Sequence, residues 1–131
     1  MVDTIKILDM LDWHMPIETQ LTGISLAQDA KTIVPFIQPL TQIHNKNVWE
    51  NCAIIITKKN DAELQPHLVA LLEWLQDMNW PGAFRILERL QNFSDKNYIS
   101  SAINTCIEKA KATNDKIWES NLSLLLEVKG A

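Results

Sequence analysis

Acidic and aromatic side chains lie close together in the middle of the chain, where their chemistry would suit a binding site. This acidic-aromatic patch contains Glu73, Trp74, Asp77, Asn79 and Trp80. Tryptophan is enriched at the hot spots of protein interfaces, and carboxylates beside it can pair with basic groups. Glu73 and Asp77 also have the four-residue spacing that places two carboxylates on one helix face. Paired carboxylates can catalyse hydrolysis, but this spacing is more typical of a solvated face.

We expect the acidic-aromatic patch to bind a partner protein. Trp74 lies off the main apolar stripe of its predicted helix, so it would be a contact residue if it were exposed. The alternative is an enzyme or a small-ligand-binding protein with a pocket near residues 74–80. Exposed aromatic side chains in a groove would favour binding, whereas a deep pocket with convergent acids or histidines would favour catalysis.

The other reactive residue types are scattered along the chain. His14, His44 and His67 lie in three separate segments, and the sequence has no His-Glu-x-x-His or Cys-x-x-Cys motif. We therefore predict no catalytic residue, no metal site and no cofactor. Cys52 and Cys106 each lie in an apolar run, and we expect both to be buried free thiols rather than nucleophiles or a disulfide framework.

Composition and charge indicate one ordinary soluble domain over residues 1–131, with 47% hydrophobic and 21% charged residues. Twelve basic residues stand against sixteen acidic ones, so the net charge is −4 and a nucleic-acid partner is not expected. The apolar runs are too short to cross a membrane, and the first residues do not resemble a secretion signal. We therefore expect a cytoplasmic protein without a membrane partner.

The elements that must position these residues are helices. Apolar residues recur at three- and four-residue steps over residues 66–78, 81–93, 99–110 and 117–128, which predicts four amphipathic helices. Their expected start signals are a capping box of Asn60 and Glu63, Pro81 in a first turn, and N-caps at Ser94 and Asn114.

The first half of the chain has a less regular pattern. A short helix is expected to end near residues 13–15, and another begins at Pro16, with Ile17, Leu21, Ile24 and Ala27 as its apolar stripe. Pro35 and Pro39 interrupt the next segment, where we expect a kink or two short turns. Asn47 and Glu50 have capping-box spacing. The β-branched run at residues 53–57 fits either a strand or a helix.

Matched blocks in the two halves indicate an internal repeat of residues 1–60 and 61–131. Asp12 and Pro16 resemble Asp77 and Pro81, while Trp49 and Glu50 resemble Trp118 and Glu119. Pro16 precedes Trp49 by 33 residues, and Pro81 precedes Trp118 by 37. The repeat predicts that residues 53–57 are helical, because their counterpart at 122–126 is rich in leucine. We expect Trp49 and Trp118 to hold helices together, and Asp12 and Asp77 to make structural hydrogen bonds in turns.

Residues 72–83, LEWLQDMNWPGA, resemble the signature of a family of small bacterial helical proteins catalogued as a domain of unknown function. Asp115 and Trp118 resemble the Asp-x-x-Trp block of that family. The likeness covers about residues 61–128, and the first half resembles a diverged copy with Met15 in place of Trp80. The resemblance implies a HEAT-like helical fold and carries over no catalytic residue.

Together these observations predict an all-α, right-handed HEAT-like solenoid of about eight short helices, made of two diverged four-helix units. Because a solenoid offers an extended surface, we expect a non-enzymatic protein-interaction module. An immunity-type or adaptor protein with an acidic face for a basic partner is one specific version. A structural homodimer is a further alternative, because residues 122–128 are apolar on more than one side.

Overall fold

The chain is all-α, which confirms the predicted class. The computed structural model describes residues 4–39 and 46–127, and within these ranges it contains helices, turns and coil but no strand. The α-helices are α1 (Thr4–Met10), α2 (Ile17–Ala27), α3 (Trp49–Thr57), α4 (Asp61–Leu64), α5 (Leu68–Leu72), α6 (Ala83–Gln91), α7 (Lys96–Ala112) and α8 (Lys116–Glu127). Short 3-10 helices span Val34–Phe36, Lys46–Val48, Gln65–His67 and Glu73–Gln76.

One uninterrupted helical segment runs from residue 61 to residue 76 through α4, α5 and two 3-10 turns. The predicted capping box starts it, because Glu63 N donates to Asn60 Oδ1 at 2.8 Å and Asn60 N donates to Glu63 Oε1 at 3.3 Å. Pro66 lies in the first 3-10 turn, where it lacks an N–H for an α-helical hydrogen bond. The described part of the chain thus contains seven α-helical segments, close to the predicted eight.

The predicted N-caps of the last two helices are displaced by one residue. Asp95, rather than Ser94, caps α7 by accepting the Tyr98 N–H at 3.0 Å. Asp115, rather than Asn114, caps the last helix by accepting the Trp118 N–H at 3.0 Å. A carboxylate at the N-cap also complements the positive end of the helix dipole, which favours aspartate at both starts.

Two further predicted start signals have other structural roles. Pro81 lies before α6, in the turn that leads to Gly82 at the N-cap position, so it is outside the first helical turn. Val48, rather than Asn47, occupies the N-cap position of α3. Glu50 does not close a capping box, because its carboxylate accepts the backbone N–H of Gly82 from the other half of the chain.

The ambiguous run at residues 53–57 is helical, as the repeat predicted. Ile55 and Ile56 are fully buried in the core. Burial of these side chains outweighs the modest cost that β-branched residues impose on a helix.

The proline-containing segment has one short 3-10 helix at Val34–Phe36, with Pro35 in its first turn. This agrees with the expected short turn around Pro35. A second turn follows at residues 38–39, so both expected short turns are present, while residues 40–45, with His44 among them, lie outside the described residues.

The helices pack around one continuous hydrophobic cluster that includes buried side chains of both halves. In the first half, α1 packs on α2 and α2 on α3. In the second half, α5 packs on α7, α7 on α8, and α6 on both α8 and the 3-10 turn Glu73–Gln76. The two halves meet where α3 packs against α6, and we call this contact the seam.

An ion pair joins the start of α4 to the end of α6. Arg89 Nη2 donates to Asp61 Oδ1 at 2.6 Å and to the Lys59 carbonyl at 2.9 Å. Asp61 Oδ2 accepts the Ser94 hydroxyl at 2.6 Å and its backbone N–H at 2.8 Å. The two Ser94 hydrogen bonds, with Arg89, lower the pKa of Asp61 from 3.8 to about 2. This cluster fixes the turn between α6 and α7.

Acid should remove the stabilisation that Asp61 supplies. Its pKa is depressed in the folded state, so the stabilising contribution is complete above pH 4 and is lost as the pH falls towards 2. We expect Asp61→Asn to lower the free energy of unfolding by about 1–2 kcal/mol at neutral pH, since the pair is partly solvated. Urea unfolding of both proteins across this pH range would measure the difference. A difference that stayed constant with pH would contradict the prediction.

Candidate functional site

Trp74 lies inside the core rather than on the surface. Its side chain has 0% exposure, and its indole Nε1 donates to the Pro81 carbonyl at 2.9 Å. The expectation that Trp74 contacts a partner is therefore wrong. Trp74 belongs to a 3-10 turn, where residues three apart are eclipsed, so it follows the buried Leu71. That local change of helix type places Trp74 on the buried face.

The acids of the predicted acidic-aromatic patch are used within the fold. Glu73 Oε2 accepts the Lys109 ammonium at 2.6 Å, and this hydrogen bond raises the pKa of Lys109 above its ordinary value. Asp77 Oδ1 accepts the backbone N–H of Asn79 at 2.8 Å. Asn79 is exposed, whereas Trp80 is half-buried against the core. Of the five predicted contact residues, the structure therefore leaves only Asn79 fully exposed.

The alternative prediction, a ligand pocket near residues 74–80, is affected by the burial of Trp74 as well. A side chain without exposed surface cannot line an open pocket, so Trp74 cannot contribute to one. Trp80 contacts Trp49 edge-to-face, with ring centroids 5.3 Å apart and planes at 88°. Its ring therefore packs on another part of the fold.

The matched aspartates make equivalent turns in the two halves. Asp12 Oδ1 accepts the His14 N–H at 2.8 Å, as Asp77 accepts that of Asn79. The hydrogen bond from the His14 backbone lowers the pKa of Asp12 below its ordinary value. Each aspartate also accepts a backbone N–H three residues later through its carbonyl oxygen. The predicted structural role of both aspartates is confirmed, and the shared geometry supports the repeat.

The matched tryptophans are both buried, as predicted, but they contact different partners. Trp118 Nε1 donates to the Leu72 carbonyl at 3.1 Å, within its own half of the chain. Trp49 instead packs across the seam against Trp74 and Trp80. The indole N–H of Trp49 has no hydrogen-bond partner among the described residues. The ammonium of Lys46 lies 5.7 Å from the ring centroids of both Trp49 and Trp80.

Glu50 joins α3 to the start of α6. Its Oε1 accepts the Gly82 N–H at 2.8 Å, and its Oε2 pairs with the guanidinium of Arg85. Gly82 has a φ of +85°, and a Cβ there would lie 2.7 Å from the Cβ of Ala53. Glycine thus allows the close approach of α3. For Glu119, the matched residue in α8, the described residues show no comparable bond between helices.

The first half exposes a group of large apolar side chains, two of which belong to the predicted apolar stripe of α2. Trp13, Met15, Ile17 and Leu21 are 47%, 40%, 60% and 57% exposed. We call these four residues the N-terminal apolar face. They occupy the turn before α2 and its first two turns. Only Ala27 of the predicted apolar stripe of α2 is fully buried, so the assignment of Ile17 and Leu21 to the core is wrong.

Two hydrogen bonds hold the turn of the N-terminal apolar face against α2. Gln20 Nε2 donates to the Met15 carbonyl at 2.7 Å and to the Trp13 carbonyl at 3.3 Å. Asn51 of α3 donates to Gln20 Oε1 at 2.9 Å and to the Leu11 carbonyl at 2.8 Å. The backbone beneath the N-terminal apolar face is therefore braced by α3.

Comparison with protein families agrees with the expected membership in a family of unknown function. The family model for a domain of unknown function, DUF5071, matches residues 50–129. The chain belongs to the DUF5071 family. No match was found among curated proteins or among solved structures. The DUF5071 match includes α6 and nearly all of α3, but the N-terminal apolar face precedes it.

The cysteines of this DUF5071 protein are free and buried, as predicted. Burial raises the pKa of Cys52 to about 12 and that of Cys106 to about 11. Because a thiol must ionise to act as a nucleophile, both cysteines stay protonated and unreactive at neutral pH.

A groove of about 660 Å³ lies between the 61–76 segment and α7, within the DUF5071 match. Its apolar wall is formed by Pro66, Leu68 and Val69, while Ser101 and Thr105 add hydroxyl groups. Asp95, also in the lining, accepts the Tyr98 N–H as the α7 cap. The groove is therefore a mixed polar and apolar surface, and no predicted site residue lines it.

Residues 4–39 and 46–127 contain no group of three His, Cys, Asp or Glu side chains positioned to hold a metal ion. In the same part of the chain, no helix has the length and apolar character needed to cross a bilayer.

Proposed function

We propose that this protein is a non-enzymatic protein-interaction module with a HEAT-like solenoid arrangement of two four-helix units. The equivalent turns at Asp12 and Asp77 support the repeat, as does the packing of α2 on α3 and of α6 on α8. We also propose a cytoplasmic location. The free thiols of Cys52 and Cys106 fit a reducing compartment.

The N-terminal apolar face is the observation that carries this proposal. Soluble proteins rarely expose contiguous large apolar side chains, and such patches are typical of protein-binding surfaces. Trp13 adds an aromatic residue of the kind enriched in binding hot spots. The acidic-aromatic patch supports binding less directly, because Glu73 is paired with Lys109 and Asp77 closes its own turn. We therefore assign partner binding to the N-terminal apolar face.

Charges placed in the N-terminal apolar face should abolish partner binding without unfolding the protein. We expect the double variant Ile17→Glu, Leu21→Glu to bind a purified cellular partner at least about tenfold more weakly. Binding would bury two unpaired carboxylates at positions where the native protein has apolar contacts. Both side chains are more than half exposed. A glutamate in the first turn of α2 also suits the helix dipole, so stability should be retained. Affinity capture would identify the partner, and calorimetry would measure its affinity.

The matched control is the double variant Phe84→Glu, Ile117→Glu. Both side chains are 68% exposed and belong to α6 and α8, outside the N-terminal apolar face. Equal loss of affinity in the two double variants would contradict the proposed surface. Unchanged affinity in the Ile17→Glu, Leu21→Glu protein would contradict it as well.

A further inference from the structure

The seam shows how this chain covers the start of one helix with another. At the seam, α3 lies across the first residues of α6, and Trp49 packs edge-to-face on Trp80. Glu50 accepts the Gly82 N–H, so a carboxylate of α3 caps the amino end of α6. The seam is thus a helix-on-helix contact with an aromatic anchor and an acidic cap.

The repeat places α2 in the first half where α6 stands in the second. Pro16 and Pro81 precede the two helices after equivalent aspartate turns. Counting from these prolines, Leu21 matches Ile86, which is only 1% exposed, whereas Leu21 is 57% exposed. Met15 likewise matches Trp80. The N-terminal apolar face therefore corresponds to the surface that α3 covers at the seam.

The amino end of α2 has Glu18 in its first turn, but the described residues show no side-chain hydrogen bond to it like the one between Glu50 and Gly82. Pro16 occupies the N-cap position and provides no side-chain hydrogen bond to the first turn. The N–H groups at the start of a helix are left without intrahelical partners and favour a nearby carboxylate. Apolar cover and an acidic cap are the two features that α3 supplies to α6.

We infer that the N-terminal apolar face binds an amphipathic α-helix of a partner protein, docked as α3 docks on α6. This inference rests on the proposed function and specifies its partner. The partner helix carries an aromatic residue and a glutamate near its start, followed by small and apolar residues. It lies across the first turns of α2, with its glutamate directed to the uncapped amino end. Such docking is a common mode of peptide recognition.

The last helix of a second copy does not offer this chemistry. Asn51 in α3 and Asn121 in α8 each donate to a carbonyl near the end of the first helical segment of their half, Leu11 and Leu75 respectively. These bonds place α8 where α3 lies in the first half, but Trp118, which matches Trp49, is buried within its own half and donates to the Leu72 carbonyl. Trp118 is therefore unavailable as the aromatic anchor for another copy, and we assign the helix to a different protein.

A peptide with the sequence of this chain's residues 46–60, with Cys52→Ser, is the probe for the inference. It contains α3 with Trp49 and Glu50, and a peptide with Trp49→Ala and Glu50→Gln is its control. We expect the probe, in molar excess over the full chain, to shift the NMR signals of Trp13, Ile17 and Leu21. The control peptide should bind about tenfold more weakly or worse, because it lacks the anchor and the cap.

Protein variants then locate the peptide. We expect Ile17→Glu, Leu21→Glu to abolish the shifts and Phe84→Glu, Ile117→Glu to retain them. The inference is overturned if the peptide causes no shift, or if the shifts cluster at Trp74, Trp80 and Gly82 because the peptide displaces α3. It is also overturned if the full chain sediments as a dimer that Ile17→Glu, Leu21→Glu dissociates, since a second copy would then cover the face.

The outcomes separate this inference from the proposed function. If the cellular partner requires the N-terminal apolar face but the peptide does not bind, the helical partner is wrong and the interaction function stands. If the cellular partner binds the Ile17→Glu, Leu21→Glu protein normally, the proposed function fails whatever the peptide does.

Discussion

Replacing Trp74 with alanine is expected to lower the free energy of unfolding by about 3–5 kcal/mol. The side chain is fully buried, and it contacts Trp49 with ring centroids 6.2 Å apart. Alanine would leave a large cavity at the seam and would remove the donor to the Pro81 carbonyl. Urea unfolding followed by circular dichroism would measure the loss, because that signal does not depend on the deleted indole.

Two further variants keep this prediction testable if Trp74→Ala does not fold. Trp74→Phe retains much of the ring volume but loses the indole N–H, so it should cost about 1–3 kcal/mol. Trp13→Ala removes the same residue type from a half-exposed position and should cost less than about 1 kcal/mol. Equal costs for Trp74→Ala and Trp13→Ala would show that Trp74 is not a core residue.

Replacing Gly82 with alanine is expected to lower the free energy of unfolding by about 2–5 kcal/mol. The positive φ of +85° disfavours any residue with a Cβ by about 1–2 kcal/mol. The added Cβ would also lie 2.7 Å from Ala53 Cβ, 3.0 Å from the Trp49 carbonyl oxygen and 3.1 Å from Trp74 Cζ2. Such overpacking costs a further 1–3 kcal/mol or so, and it would push α3 away from α6. Urea unfolding monitored by circular dichroism would measure the total.

A double-mutant cycle with Ala53→Gly separates the two costs of Gly82→Ala. Ala53→Gly alone should cost about 1 kcal/mol, because glycine is unfavourable within a helix. The double variant lacks the contact between the new Cβ at position 82 and the Cβ of Ala53. Its loss of unfolding free energy should therefore be smaller than the sum of the losses in the two single variants. The strain from φ would remain. Purely additive costs would show that the close approach of α3 to Gly82 does not limit the packing.

The periodic apolar pattern was sufficient to predict the all-α class and the position of most helices. The start signals correctly predicted the capping box of Asn60 and Glu63, because a cap depends on residues within one helical turn. The same kind of signal misplaced the caps of α7 and α8 by one residue. At both sites two polar residues are adjacent, and the aspartate is the one that accepts the N–H.

The internal repeat predicted more than the individual patterns did. It assigned residues 53–57 to a helix and paired Asp12 with Asp77, which make equivalent turns. It did not predict that Trp49 and Trp118 contact different neighbours. Trp49 lies at the seam, whereas Trp118 packs within its own half. The two tryptophans have different surroundings because α3, which carries Trp49, packs against α6 of the second half, whereas no described helix follows α8.

The sequence by itself determined the helical class, the structural aspartate turns and the buried thiols, because each depends on local spacing or on the hydrophobicity of a short segment. The tertiary structure decided which apolar and aromatic residues are covered. Trp74 is buried because a 3-10 turn aligns it with Leu71 and α3 packs over it. Ile17 and Leu21 are exposed although their spacing is that of a core stripe, because no described helix covers that side of α2. Burial depends on what the rest of the chain places against a residue, and local spacing does not contain that information.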